Sequence, residues 1–202
     1  NGGIYHDLTI QCDDGPRRVA LITINTNELL NLRNYSDVIF LDGTYSSLVN
    51  KWEVFPITAL TKECNLCCCE IMYAASAKED VLYWLLNTLS IYPDFILNIM
   101  TIITDEDHSF INAFKKWVSS IKKPNVNHVI CALHKSRNFS NKLIKYGFSK
   151  TQRALIKNLF KIVCYHQNLE YVHKALEKLH NFTPRLTHYI EKQIVPYLKN
   201  FS

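Results

Sequence analysis

The sequence predicts an α/β fold in which a mixed β-sheet carries helices on its faces and is followed by an all-helical segment. Three closely spaced apolar runs come first, at Val38–Leu41, Glu53–Leu60 and 67–75. Two helical patterns then alternate with two further apolar runs, which is typical of parallel strands joined by crossover helices. From residue 135 onward, the pattern is helical to the end.

The first three runs are predicted to form an antiparallel meander, because they are rich in Val, Ile, Phe and Cys and follow one another closely. Pro56 lies within the second run and, having no N–H to donate, favours an edge position or a bulge. Upstream, residues 18–24 alternate weakly and indicate a strand. Residues 25–33 predict a short helix with Thr26 or Asn27 as its N-cap.

The next elements complete the predicted sheet. Residues 78–91 predict a helix and residues 97–104 a buried strand. The clearest helix spans residues 107–122, where apolar residues recur at intervals of three and four. A last strand is predicted at 128–131, and we expect it and the strand at 97–104 to run parallel to the first strand of the meander. The helices beyond it are predicted at residues 151–166, 169–179 and 186–198, the last broken near Pro196.

The 202 residues, 48% of them hydrophobic, suffice for one sizeable core with an appended subdomain. We divide the chain into a lead-in at 1–36, an α/β core at 37–134 and a basic helical segment at 135–202. Because it begins with Asn1 rather than Met, we expect an excerpt of a longer protein. The most apolar region, 81–104, is interrupted by polar residues, whereas a membrane span needs about 20 nearly unbroken apolar residues, so no membrane partner is expected.

Charge is distributed unevenly along the chain. Residues 1–130 hold 10 Lys and Arg against 15 Asp and Glu, whereas residues 131–202 hold 13 against 3. So basic a segment suggests a polyanionic partner, most simply nucleic acid, although a solvated cationic face would give the same pattern.

Seven cysteines are present, and four of them lie between Cys64 and Cys69. Adjacent cysteines rarely form a disulfide framework, so we expect an intracellular, reducing environment. Cys64 and Cys67 have zinc-ligand spacing, and Cys131 with His134 could complete four ligands. However, residues 67–69 fall in an apparent strand whose side chains alternate between faces, so zinc is not expected.

Two aspartates follow buried strands, Asp42 after the first strand of the meander and Asp105 after the fourth strand. If those strands are parallel neighbours, both carboxylates lie at the edge where open α/β sheets place their sites. Carboxylates that lie close together repel unless a cation separates them, and Mg²⁺ accepts one or two carboxylates plus phosphate oxygens. The structural alternative is that Asp42 forms a turn with Gly43 and Asp105 caps the following helix.

Three segments, "SDVIFLDGTYSS", "IITDEDHSFINAFKKW" and "HVICALHKSRN", resemble the successive blocks of the Mutator-like element (MULE) transposase domain. The resemblance covers about residues 19–179 and implies a ribonuclease H-like fold. It also implies a nuclear cut-and-paste DNA transposase that assembles as an oligomer on DNA. Its two-metal site, for Mg²⁺ or Mn²⁺, would use two aspartates and a glutamate to hydrolyse a DNA strand and transfer the freed 3′ hydroxyl.

The resemblance assigns individual residues of this chain. Asp42 matches the first family aspartate in its D-x-T-[YF] setting, and Asp105 matches the second in its T-D-x-[ED] setting. Cys131 and His134 match the C-x2-H motif, which would either brace the site or contact DNA.

The third carboxylate departs from the family pattern. Family members place the glutamate after a helical insertion, usually in an E-S-x-N setting. The helical segment from residue 135 resembles that insertion, but none of its Glu170, Glu177 and Glu191 is followed by Ser-x-Asn. Glu191 is the remaining candidate, and we expect the chain to stop before the catalytic glutamate and the last core helix. Whether this chain is itself an enzyme therefore stays open.

The basic residues that follow the C-x2-H motif are predicted to contact DNA phosphates, which makes affinity salt-dependent without reading sequence. They are Lys135, Arg137, Lys142, Lys145, Lys150, Arg153, Lys157 and Lys161. The last four recur at intervals of three and four, so they share one helix face. The other face would be apolar, with Leu155, Ile156, Leu159 and Val163.

Two other functions remain open at this point. A domesticated relative would keep the fold but act as a DNA-binding regulator, and the presence of both aspartates disfavours it. A nuclease of the same fold acting on RNA–DNA hybrids would need a nearby third carboxylate, and no Asp or Glu lies between Asp107 and Glu170.

Overall fold

The structure is a computed structural model that describes residues 4–24, 26–43, 52–76, 78–123 and 125–198. The strands are β1 (Ile4–Cys12), β2 (Gly15–Ile24), β3 (Val38–Leu41), β4 (Glu53–Leu60), β5 (Leu66–Ala74), β6 (Thr101–Thr104) and β7 (Asn127–Ile130). The helices are α1 (Thr26–Tyr35), α2 (Glu79–Leu89), α3 (Pro93–Asn98), α4 (His108–Ile121), α5 (Ala132–Lys145), α6 (Lys150–Tyr165), α7 (Leu169–His180), α8 (Pro184–Gln193) and α9 (Val195–Leu198).

The strands form one mixed sheet in the order β1-β2-β5-β4-β3-β6-β7. The pairs from β1 through to β3 are antiparallel, whereas β3 with β6 and β6 with β7 are parallel. The sheet therefore contains an antiparallel meander of β3, β4 and β5, and two strands parallel to β3. Both parallel strands are reached through helices, as expected for crossover connections.

The strand β1 is absent from the sequence prediction. It lies at the edge of the sheet and most of its residues are exposed, so it shows no apolar face that a pattern could reveal. Its partner β2 begins at Gly15 rather than at residue 18 and pairs with β5 over Ala20–Thr23. Residues of the predicted lead-in thus extend the same sheet as the core.

The prediction of a strand over 97–104 is wrong in its first half. Residues up to Asn98 belong to α3, which begins with Pro93 at its first turn, and only Thr101–Thr104 forms a strand. Leu97 is 74% exposed, so the apolar run that contains it is not continuously buried. A short apolar run alone does not separate strand from helix.

Pro56 occupies an interior strand, because β4 lies between β5 and β3. The edge position is therefore wrong. A bulge lies close by, because the register between β4 and β5 shifts between Ile57 and Thr58. However, its extra residue is Cys69 on β5, and Pro56 itself lies opposite Ile71. Pairing of β4 with β3 runs from Ala59 to Ile57, so Pro56 lies just past that ladder.

The chain divides into two compact units, residues 1–135 and 136–202. This division lies one residue from the boundary predicted between the core and the basic helical segment. In the first unit, α4 presents Phe110, Ala113, Phe114 and Trp117 to the core. The Trp117 indole N–H donates to Ser90 Oγ at 2.8 Å, which ties α4 to the end of α2.

The second unit has its own apolar core, built by α5 to α8. Phe139 stacks on Phe160 with ring centroids 4.2 Å apart, and α6 begins with a capping box between Ser149 and Gln152. Ile156, Leu159 and Val163 are buried as predicted, whereas Leu155 is 53% exposed. Among the described residues, no helix combines the length and the apolar character needed to cross a membrane.

A buried carboxyl group, Glu70, lies at the bulge of β5. The register shift makes Cys69 and Glu70 consecutive buried residues, and Glu70 then shares its face with Met72 and Ala74. Its side chain is 0% exposed, and neither carboxylate oxygen has a hydrogen-bond partner among the described residues. Burial, with a smaller effect from the charge of Glu28, raises the pKa of Glu70 to about 8.

We expect Glu70→Gln to stabilise the protein increasingly as pH rises. The unfolded chain loses this proton near pH 4.5, whereas the folded chain keeps it up to about pH 8, so the wild type loses stability across that interval. The gain in the variant should grow by up to roughly 1.4 kcal/mol per pH unit and level off near pH 8. Urea unfolding at several pH values measures it.

The exposed Glu63 supplies the control for this measurement, because Glu63→Gln changes the same chemical group without burial. A Glu70→Gln variant whose stability follows pH in the same way as the wild type would contradict the prediction.

Candidate active site

The register of β3 and β6 brings the two predicted aspartates to one edge of the sheet. Leu41 lies opposite Thr104 in the parallel ladder, and Asp42 and Asp105 are the next residue on each strand. Neighbouring strands are about 4.8 Å apart, so the two residues leave the sheet side by side at its carboxyl edge. Open α/β sheets place their ligands at this edge.

The backbone directly after Asp42 packs closely against an aromatic ring. A Cβ atom on the adjacent Gly43 would lie 2.8 Å from Phe55 Cε1, which is closer than a carbon contact allows. Phe55 is fully buried and packs edge-on against Phe110 of α4, with ring centroids 6.0 Å apart. The Asp42 side chain itself is 59% exposed. The remaining motif residues Thr44 and Tyr45 lie outside the described residues.

Asp105 does not cap α4, so that alternative is wrong. The N-cap is Asp107, whose Oδ1 accepts from the Ser109 N–H at 2.7 Å. Asp105 Oδ1 accepts from the Asp107 N–H at 3.0 Å, which orients its carboxylate at the sheet edge. Burial raises the pKa of Asp105, and the negative charges of Asp107 and Asp42 add to this, while the Asp107 N–H and His134 oppose it.

The C-x2-H motif lies against both strand ends. The Cys131 N–H donates to Thr104 O at 2.6 Å, so the backbone after β7 is fastened to the end of β6. His134 stands in the first turn of α5, with Nε2 3.6 Å from Asp42 Oδ1. Its Nδ1 is buried and has no hydrogen-bond partner among the described residues. The motif thus contacts Asp42 through the His134 ring, and it contacts the residue before Asp105 through the Cys131 backbone.

A polar pair under Asp105 was missed by the sequence analysis. Thr104 Oγ1 donates to Asp105 O at 2.8 Å, and His128 Nε2 lies 2.8 Å from the same hydroxyl. Because the hydroxyl proton is used, His128 donates its Nε2–H to Thr104 Oγ1. His128 stacks on Phe114 with centroids 4.8 Å apart, and burial lowers its pKa to about 4, so it is neutral near pH 7. The sequence feature that could have revealed this pair is the histidine within a short apolar strand.

Lys135 differs from the other residues predicted to contact DNA. It is buried, and its Nζ lies 2.6 Å from Glu106 Oε1, with side-chain exposures of 9% and 15%. An interior ion pair leaves no cationic surface for a phosphate. The sequence suggested the opposite because a lysine after a helix start is usually solvated.

The remaining predicted basic residues belong to α5 and α6 of the second unit. On α6, Lys150, Lys157 and Lys161 are exposed and Arg153 is half-buried, so the face predicted from their spacing is formed. On α5, Arg137, Lys142 and Lys145 are exposed, and Lys142 Nζ lies 6.0 Å from the ring centroid of Tyr189.

Glu191 and Glu170 of the second unit each have a basic neighbour there. Glu191 Oε1 lies 3.1 Å from His180 Nε2, at an angle that makes no hydrogen bond, and Glu170 pairs with Lys174 at 2.6 Å. Glu191 is 51% exposed and lines an open cavity of about 560 Å³ at the junction of α7 and α8.

The donor set at the sheet edge is small. Among the described residues, no three or more His, Cys, Asp or Glu side chains are arranged to hold a metal ion. Two carboxylates nevertheless fit Mg²⁺ or Mn²⁺, because such ions take one or two carboxylates, several waters and substrate phosphates. Burial and the neighbouring negative charges raise the pKa of Asp105, and a bound cation would offset both effects.

The cysteines at 64–69 do not present a common face. Cys64 is exposed in the turn before β5 with φ of 61°, Cys67 and Cys68 are half-buried, and Cys69 is buried. Cys67 Sγ lies 3.6 Å from Ala59 O, and Cys68 Sγ lies 3.6 Å from Glu70 O. Within β5, these thiols are therefore placed as strand residues with backbone neighbours.

Gly43→Ala should destabilise the protein by about 1–3 kcal/mol, because the added methyl group overlaps the Phe55 ring. The effect should shrink when Phe55→Leu is already present, since the smaller side chain vacates the space. Chemical unfolding of the two single variants and the double variant measures this coupling. Strictly additive effects of the two changes would refute the close approach.

Compared with known proteins, the sequence matches no protein-family model and no curated protein.

Proposed function

We propose that this chain is a catalytic-core segment of a MULE-type, cut-and-paste DNA transposase with a ribonuclease H-like core. The observation that carries the proposal is the placement of Asp42 and Asp105 side by side after the parallel strands β3 and β6. The strand order β5-β4-β3-β6-β7, with a meander followed by two parallel strands, is that expected of a ribonuclease H-like sheet. This second argument rests on similarity of strand order to a known fold and not on the chemistry of the site.

Asp42 and Asp105 would hold Mg²⁺ or Mn²⁺, together with phosphate oxygens of the DNA. When bound, such ions activate water and stabilise the leaving oxygen in phosphodiester cleavage. The resemblance implies a third carboxylate, for which Glu191 is the candidate within these residues. The proposed setting is the nucleus, with the protein assembled as an oligomer on transposon and target DNA.

The surrounding residues of this chain would orient the two carboxylates. The Asp107 N–H holds Asp105 Oδ1, and neutral His128 holds the Thr104 hydroxyl that donates to the Asp105 carbonyl. His134 lies beside Asp42 and limits the directions that its carboxylate can take. Because these contacts exist before substrate binds, little reorganisation is needed when DNA phosphates arrive.

One observation favours the alternative of a domesticated, inactive DNA-binding regulator. The described residues offer two carboxylates at the sheet edge and no larger group suited to a metal ion. Such a protein would bind DNA through the exposed face of α6 without binding metal at Asp42 and Asp105. The two functions therefore differ in a property that can be measured directly.

Asp42→Asn and Asp105→Asn should each weaken Mn²⁺ binding to the 202-residue chain by at least about tenfold, because each removes a charged ligand. Titration followed by electron paramagnetic resonance of free Mn²⁺ measures the affinity. Asp80→Asn is the control, since that carboxylate is 91% exposed on α2. Equal affinity in all four proteins would refute the proposed metal site, and DNA binding in that case would favour the regulator.

Replacing Lys150, Lys157 and Lys161 together by Gln should weaken binding to duplex DNA of any sequence. The slope of log affinity against log salt concentration should also become shallower, by roughly 0.9 for each phosphate that is no longer neutralised. Lys174, Lys178 and Lys192, exposed on α7 and α8, give a control triple with the same change in net charge. Fluorescence anisotropy at several salt concentrations measures both. If the two triple variants weaken DNA binding equally, the loss of affinity is explained by net charge and not by the α6 face.

A further inference from the structure

We propose that Glu106 and Lys135 are positioning residues whose buried ion pair sets the geometry of the carboxylate site. The inference rests on the proposed function, because its readout is metal binding at Asp42 and Asp105. Glu106 directly follows Asp105, and Lys135 directly follows His134. The resemblance to transposases assigns no role to Glu106, and the basic charge pattern predicted DNA contact for Lys135.

The pair joins the two segments that carry the site. Glu106 lies in the turn between β6 and α4, and Lys135 lies in the first turn of α5. Their charged atoms are 2.6 Å apart, the distance of a strong charge-assisted hydrogen bond. A rigid link thus runs from Asp105 through this pair to His134, whose ring lies 3.6 Å from Asp42.

The backbone on both sides of the pair is also held in place. Lys135 N–H donates to Cys131 O at 3.0 Å, and Cys131 N–H donates to Thr104 O at 2.6 Å. On the other side, the Asp107 N–H donates to Asp105 Oδ1. Because this backbone is hydrogen-bonded on both sides, it cannot absorb a change in the distance between Glu106 and Lys135. Such a change would therefore move Asp105 relative to His134.

Stability alone is a poor explanation for this pair. Removing two charges from water carries a large desolvation cost, and the attraction between the charges roughly balances that cost. A fixed lysine also loses much of its side-chain freedom. The pair therefore adds little net stability, while it permits only one arrangement of the two segments.

A simple effect of charge on a bound cation makes a different prediction. If charge alone mattered, Glu106→Gln would weaken cation binding by removing a negative charge, and Lys135→Met would strengthen it by removing a positive one. If the pair positions the site, both variants weaken binding, because each releases the same link. Whether Lys135→Met strengthens or weakens cation binding therefore separates the two explanations.

The experiment measures Mn²⁺ affinity of the full 202-residue chain and of Glu106→Gln, Lys135→Met and the double variant. We expect a loss of about tenfold in each single variant and in the double variant, the size typical of residues that orient metal ligands. Thermal unfolding of each variant is recorded first, and all titrations are made well below the lowest transition.

A matched pair on α7 controls for the general effect of breaking an ion pair. Glu170 and Lys174 are also 2.6 Å apart, but their side chains are 69% and 64% exposed. Glu170→Gln and Lys174→Met should leave Mn²⁺ affinity unchanged.

The outcomes separate this inference from the proposed function. Tighter binding in Lys135→Met, or wild-type affinity in the double variant, overturns positioning, provided that Asp42→Asn and Asp105→Asn still weaken binding. Loss of thermal stability at unchanged Mn²⁺ affinity also overturns it. Binding that does not depend on Asp42 and Asp105 overturns the proposed function and this inference together.

Discussion

The parallel pairing of β3 with β6, with Leu41 opposite Thr104, is the constraint on which the rest of the site depends. It places Asp42 and Asp105 next to each other although 62 intervening residues separate them in the sequence. Shifting that register by one residue would reverse which side chains enter the core, because strand side chains alternate between faces. The buried Ile39, Leu41 and Ile102 therefore determine where the two carboxylates lie.

Two contacts of aromatic rings connect the packed core to the candidate site. Phe55 fills the space beside Gly43, so the backbone after Asp42 has little freedom, and the same ring packs on Phe110 of α4. Phe114 of that helix stacks on His128, which bonds the threonine before Asp105. Helix α4 thus supports both aspartates from beneath the sheet edge. A close-packed interior transmits such constraints because it has few voids into which side chains can shift.

Charged groups occupy two kinds of environment in this chain. In the first unit, Glu70, Glu106 and Lys135 are buried or nearly buried, where charges are removed from water and need a partner or a proton. In the second unit, the lysines of α6 are exposed, where charge acts on partners and is screened by salt. A count of basic residues in the sequence does not distinguish these environments, and Lys135 is the residue for which the distinction changes the interpretation.

Local sequence patterns were sufficient to predict the elements with strong periodicity and the residues at the ends of buried strands. They predicted α4, the meander, the basic face of α6, and Asp42 and Asp105 as a candidate pair, because apolar spacing and carboxylates after buried runs are local properties. Other features depend on tertiary contacts: β1 extends the sheet edge, Leu97 belongs to a helix, Glu70 is buried at a bulge, and Lys135 pairs with Glu106. Each of these depends on contacts between residues that lie far apart in the sequence, and local sequence patterns do not reveal which of those residues meet.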